Sequence, residues 1–217
     1  ILTSGQFAKQ QLEKVTELSK IHKAILGSNR GILNESQHFK ANKNTKCVLV
    51  IPEGDIDECN ILFEFSLENA KADPHITFIW RLHPLIVFED IVLKNSLFRA
   101  LPANIIVSNS TFIEDIKSSD YVLYRGSTAV IEAIGGGLRP IYLTRENEMT
   151  IDPLFGLKNT WKVEVSNRKQ FEIMLNEGWY EDRLVKENNE TLTYCNNLFS
   201  DFNFRILTAI LEKNTIS

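Results

Sequence analysis

From residue 46 to residue 143, short continuous apolar runs alternate with helix-length amphipathic segments, and this pattern narrows the possible folds more than any other feature of the sequence. Cys47-Val48-Leu49-Val50-Ile51, stopped by Pro52-Glu53-Gly54, has the length and branched content of a strand buried on both faces. A helix over 57–72 follows, with Ile61, Phe65 and Leu67 turned inward. The same reading predicts strands at 76–80, 104–107, 121–124 and 140–143, with helices at 86–98, 111–117 and 128–134 between them. A weaker strand occupies 161–165. Helices fill 170–213, with Trp179, Phe199, Phe202, Phe204 and Ile206 as core. Strands alternating with helices predict a doubly wound, parallel α/β sheet, whose ligands bind outside the carboxyl ends of the strands.

Ahead of this pattern, Phe7 and then Leu12, Val15, Leu18 and Ile21, the last four at three-residue steps, predict an amphipathic helix over about 6–25 with one buried face. Residues 27–45 are polar and turn-forming, which suits a linker and places the start of the main domain at Lys46. The expected organisation is therefore a helix and linker at 1–45 and one domain with C-terminal helices at 46–217. The sequence opens without Met, at Ile1-Leu2-Thr3-Ser4-Gly5, inside what reads as a structural element, so an upstream domain is expected.

The chain's 217 residues, 43% hydrophobic, suffice for a full core. A net charge of -4 and the lack of a basic stripe exclude general nucleic-acid binding, which depends on displacing counterions from phosphates. Cys47, Cys59 and Cys195 form no Cys-x-x-Cys pair, so neither a disulfide framework nor a zinc site is expected, and a reducing cytoplasm fits. No apolar run approaches the ~20 residues that span a bilayer, and no signal peptide opens the chain. A soluble cytoplasmic protein is expected, with peripheral contact of the C-terminal helices to the inner face of the membrane left open.

Chemistry gathers at the strand ends. After the second strand comes Arg81-Leu82-His83-Pro84. Proline suits the first turn of a helix, which puts His83 at a helix N-terminus, where unpaired amides and the dipole favour an anion. A phosphate there takes a hydrogen bond from the imidazole and a charge-assisted one from Arg81. A capping role for His83 and a carboxylate partner for Arg81 explain the same residues. After the fourth strand comes Arg125-Gly126-Ser127-Thr128, then Glu132 and Gly135-Gly136-Gly137. Gly126 permits close backbone approach, Ser127 or Thr128 can cap the helix and donate to a phosphate, and Glu132, one turn on, can accept from ribose hydroxyls. The competing reading is a helix C-cap of glycines and a solvated Glu132.

Residues 52–58 after the first strand are rich in carboxylates. Glu53 can act as a general base, and either Asp55 or Asp57 can cap the next helix. Ser108, Asn109, Ser110 and Thr111 after the third strand either touch a base or phosphate or begin a helix. His22, His38 and His75 have no metal-ligand spacing, and no metal is expected. Gly-x-Ser-x-Gly, the Walker loop and Gly-x-Gly-x-x-Gly after the first strand are all absent, which argues against a serine hydrolase, a P-loop NTPase and an ordinary NAD enzyme.

Gly126-Ser127-Thr128 with Glu132-Ala133, Gly137 and Pro140 resembles the donor-binding signature in the C-terminal, Rossmann-like domain of GT-B glycosyltransferases. Arg81-Leu82-His83-Pro84 is similar to the His-Pro motif of bacterial sialyltransferases, polysialyltransferases and related capsule or lipopolysaccharide transferases that use CMP-activated sugars, and Ser127-Thr128 stands where their Ser/Thr-rich companion motif does. The resemblance covers about 46–156, and the opening Leu2-Thr3-Ser4-Gly5 with its helix resembles the end of the partner domain. It implies transfer of a CMP-linked acidic sugar to a surface-glycan acceptor, without cofactor or metal. His83 would steady the donor phosphate and the leaving nucleotide, Ser127 and Thr128 would bind that phosphate, and Glu132 the ribose or base. The expected donor-binding set is Arg81, Pro84, Gly54, Ser108, Asn109, Arg125, Gly126, Ser127, Thr128 and Glu132, with His83 and Glu53 as catalytic candidates. Pro52-Glu53-Gly54 matches the family's acidic motif only in part, and that motif belongs to the N-terminal domain, so the base is expected on the missing half. Two alternatives are a CDP-glycerol-type phosphoalcohol transferase and a non-catalytic nucleotide-binding or assembly module using helices over 179–211 as an interface.

Overall fold

A computed structural model describes residues 1–29, 46–176 and 181–214. Most of the linker expected at 27–45, His38 and Trp179 lie outside these residues. The chain forms two compact units, one of Ile1–Leu33 with Asn189–Ser217 and one of Asn34–Asn188. Among the described residues, those from 189 onward group with the first 29.

In the smaller unit, strand β1 (Leu2–Thr3) pairs in parallel with β2 (Ala24–Ile25), and helix α1 runs only from Gln6 to Glu13. The expected helix over 6–25 is therefore cut short. Val15 takes an extended backbone, a 3-10 turn covers Thr16–Leu18, and Val15 and Ile21 stay exposed rather than continuing a buried face.

The larger unit begins with β3 (Lys46–Ile51), α2 (Ile56–Ala72), β4 (Ile76–Trp80), α3 (Phe88–Lys94) and β5 (Ile105–Val107). It continues with α4 (Phe112–Lys117), β6 (Tyr121–Tyr124), α5 (Ala129–Gly135), β7 (Arg139–Leu143), β8 (Val163–Val165) and α6 (Arg168–Asn176). The six strands form one sheet in the order β5-β4-β3-β6-β7-β8, and every pairing is parallel. Counted along the sheet, this is the 3-2-1-4-5-6 order of a doubly wound α/β fold, and the order reverses between β3 and β6. Val48, Leu49 and Val50 of β3 are fully buried, as expected of a central strand covered on both faces.

Aromatic side chains fill one layer of the core. Phe63 of α2 stacks on Trp80 of β4 with ring centres 4.2 Å apart, a contact worth about 0.5–1.5 kcal/mol beyond the area buried. The Trp80 indole N–H donates to Ser66 Oγ at 2.8 Å, and Ser66 donates in turn to the Phe63 carbonyl, so the polar atoms buried with these rings are satisfied. Phe171 of α6 closes the layer against Phe78 and Phe65.

Helix α7 (Glu181–Leu198) contains the boundary between the units, and α8 (Phe204–Asn214) completes the smaller one. There Phe7 meets Tyr194 edge to face at 5.5 Å, and the backbone amides of Ser28 and Asn203 donate to Ser200 and Leu26. Phe204, expected in the core, is exposed. It is the first residue of α8, beside the Asn203 side chain that accepts from the Arg205 and Ile206 amides, and its ring packs on Phe202.

Candidate functional site

The parallel strands bring the ends of β3, β4 and β6 to one edge of the sheet, β3 lying between the other two. Asp55 settles the turn after β3. It caps α2, its carboxylate accepting from the Asp57 and Glu58 amides at 2.8 and 3.1 Å, and Glu53 is not needed for that task.

Glu53 instead packs against Gly126 at the end of β6. A Cβ on Gly126 would come 1.8 Å from Glu53 Oε1, so only glycine admits this approach. The Gly126 backbone beside the carboxylate favours its ionised form. Oε1 itself is buried without a hydrogen-bond partner. Burial, then the neighbouring Glu58 carboxylate, push the Glu53 pKa up, and the Gly126 backbone and Arg125 only partly offset this.

His83 reaches the same place from β4. Its Nδ1 would lie 2.9 Å from a Cβ on Gly54, so the imidazole rests on the glycine of the β3 turn. The Leu85 amide donates to Nδ1 at 3.3 Å, which assigns the proton of the neutral ring to Nε2 and makes that nitrogen a donor. The expected helix does not begin here. The Ile86 amide bonds back to the His83 carbonyl at 2.9 Å, closing a turn with Pro84 at its second position, and α3 starts only at Phe88. The fixed φ of proline suits that turn as well as a first helical turn, so His83 sits in a β-turn rather than at a helix N-terminus.

Ser127 and Thr128 follow Gly126 directly and are half-buried. Thr128 takes the N-cap position of α5 without a side-chain capping bond. Glu132, one turn on, is half-buried as well. At the other end of α5 the amides of Gly137 and Leu138 bond back to Ile134 and Ala133, and Gly137 adopts a φ of 90°, so the glycine run closes the helix.

The remaining expected residues have other partners. Arg81 bonds to Asp115 at 2.7 Å and to the Ser110 carbonyl at 2.8 Å, and its guanidinium lies over the Phe112 ring. The Ser108 hydroxyl donates to the same Asp115, and Asn109 is exposed. Arg125, 3% exposed, bonds to Glu58 of α2 at 2.6 Å, to Glu148 at 2.6 Å and to the Leu143 carbonyl at 3.0 Å. Burial works against its charge, but the bonds to Glu58 and Glu148 outweigh burial and raise its pKa. Glu53 thus meets Gly126 and His83 meets Gly54, both at the turn after β3, and Ser127 and Thr128 follow Gly126 in the chain. Arg81, Ser108 and Arg125 hold the surrounding frame.

Glu58 and Glu148 are absent from the sequence-derived set. The signal for them was the acidic content of residues 55–58 and 146–148, next to an arginine at a strand end that would be buried. A cavity of about 270 Å³ beside Glu148, lined by Tyr142, Thr144, Arg145, Lys162 and Glu164, was also not foreseen. Burial pushes the Cys47 and Cys59 thiols up to about 11 and about 12, so neither supplies a thiolate near neutral pH. Among the described residues no three His, Cys, Asp or Glu side chains are grouped so as to hold a metal ion.

No family model matches the sequence, and no curated protein matches it. Solved structures do resemble it. The glycosyltransferase SnogD from Streptomyces nogalater superposes with a TM-score of 0.56 at 12% identity, over 97% of this chain and 55% of that one. TarM gives 0.56 at 14% identity over 98% of this chain and 42% of its own. The spinosyn rhamnosyltransferase SpnG, solved with thymidine diphosphate, gives 0.52 at 14% identity over 80% and 49%. The chain thus spans about half the length of these proteins. At such identities the likeness is one of fold, and by fold the chain is a Rossmann-like half of the GT-B kind.

Proposed function

We propose that this chain is the donor-binding half of a nucleotide-sugar-dependent glycosyltransferase, with the donor phosphate held where residues 52–54, 81–84 and 125–128 converge. The observation that carries this reading is the meeting of Glu53 with Gly126 and of His83 with Gly54, from three separate strand ends, at the point where the strand order reverses. Likeness of fold to glycosyltransferases supports the same class.

The chemistry follows from charge. As an acceptor hydroxyl attacks the sugar, negative charge develops on the departing phosphate. The Nε2–H of His83, the hydroxyls of Ser127 and Thr128 and the leading amides of α5 are the groups that stabilise it. Glu132 serves the ribose or base. The pairing of His83-Pro84 with Ser127-Thr128 supports a CMP-linked acidic sugar as donor and a surface glycan as acceptor. The acceptor site and the general base belong to a partner domain in this reading, so the chain alone binds nucleotide and turns over little. Cytoplasmic placement is part of the same proposal. No helix among the described residues is long and apolar enough to cross a membrane.

Calorimetry with CMP, CDP, UDP and GDP tests the donor. CMP should bind, and His83→Ala should weaken it about tenfold, the loss of one charge-assisted hydrogen bond. Tight binding of UDP or GDP with none of CMP would overturn the CMP-linked donor, and preference for CDP over CMP would favour the phosphoalcohol transferase.

A further inference from the structure

Resting on the donor site proposed above, we propose that Glu53 is itself a phosphate ligand: it takes up one proton as the donor phosphate enters and then donates a hydrogen bond to it. Its carboxylate lies against Gly126 at the end of β6, beside the residues proposed to hold the phosphate. Oε1 is buried and lacks any donor, so the ionised form has an unmet acceptor there. Protonation removes the negative charge that the buried Oε1 leaves unmet and gives the carboxyl group an O–H donor, for which a phosphate oxygen is the acceptor. No other bond changes: the proton comes from solvent and stays on the carboxyl group.

The surroundings favour this exchange. Glu58 and Asp55 face Glu53 from the start of α2, while Arg125, the facing cation, is shared with Glu58 and Glu148. His83 lies across Gly54. An incoming phosphate adds negative charge to a group of carboxylates whose cation is already engaged, and a proton on Glu53 relieves it. Burial already holds the Glu53 carboxyl above its ordinary range.

The test is calorimetry of the whole chain with CMP, CDP and inorganic pyrophosphate, in buffers of different ionisation enthalpy between about pH 6 and 8. Wild type should take up more protons per ligand than Glu53→Gln or Glu53→Ala, and subtracting the variants cancels the ligand's own titration. Its affinity should fall relative to Glu53→Gln by up to about tenfold per pH unit, and Glu53→Gln should bind more tightly at pH 8. Equal proton uptake in wild type and both variants, or weaker binding by Glu53→Gln at pH 8, overturns the proposal and leaves the donor site standing. Failure of all three probes to bind wild type overturns both. Thermal melts establish that each variant is folded.

Discussion

Arg125 shows how one buried charge organises the strand-end region. It is all but sealed from solvent, yet its guanidinium ties together α2 through Glu58, the segment after β7 through Glu148, and the Leu143 carbonyl. Replacing it by Met should leave Glu58 without its counterion and Glu148 with Arg145 alone, and destabilise the chain by about 3 kcal/mol, measured by urea unfolding. A loss under about 1 kcal/mol would show that the network is solvated rather than structural. Its role was hidden in the sequence because Glu148 lies 23 positions away and Glu58 lies 67. Arg81 has the same history: Asp115, 34 positions on, engages it, and nothing local to Arg81-Leu82-His83-Pro84 announces that partner. Glu53 and Gly126 were each legible as residues at strand ends. Their contact was not, since it depends on a glycine being approached from a neighbouring strand.

At the scale of elements, the strands were the most legible part, because continuous apolar runs such as 47–51 and 76–80 leave a chain few alternatives to burial on both faces. Helix limits were less so. The three-residue spacing continues past Glu13 to Ile21, but Val15 is extended and the periodicity there matches no α-helix. Pro84 fits both a turn and a first helical turn, so α3 begins later than the pattern suggests. Helix α5, which carries Thr128 and Glu132, ends through the left-handed backbone of Gly137. Gly137→Ala should cost about 1–2 kcal/mol by the same urea assay, because a side chain disfavours that conformation. No measurable change would mean that the turn relaxes without cost, and α5 would then be less firmly placed than the donor site requires.

For the molecule as a whole, the strand order β5-β4-β3-β6-β7-β8 explains why segments more than 70 residues apart in sequence share one edge. The sheet places β3 at its centre, with β4 on one side and β6 on the other, so the turns after all three converge where the order reverses. The net charge of -4 offers a phosphate no general attraction, which leaves the local donors of His83, Ser127 and Thr128 to supply it. The division of the chain into two compact units, with the described residues from 189 onward grouped with the first 29, was not legible from periodicity, which reports local faces and not which distant segments meet. Binding of the donor phosphate at this edge is checked by amide chemical shifts recorded while CMP is added to the whole chain. Saturable shifts should concentrate at Gly54, Leu85 and residues 126–129, whereas shifts confined to the cavity near Tyr142 and Lys162, or none that saturate, would contradict it.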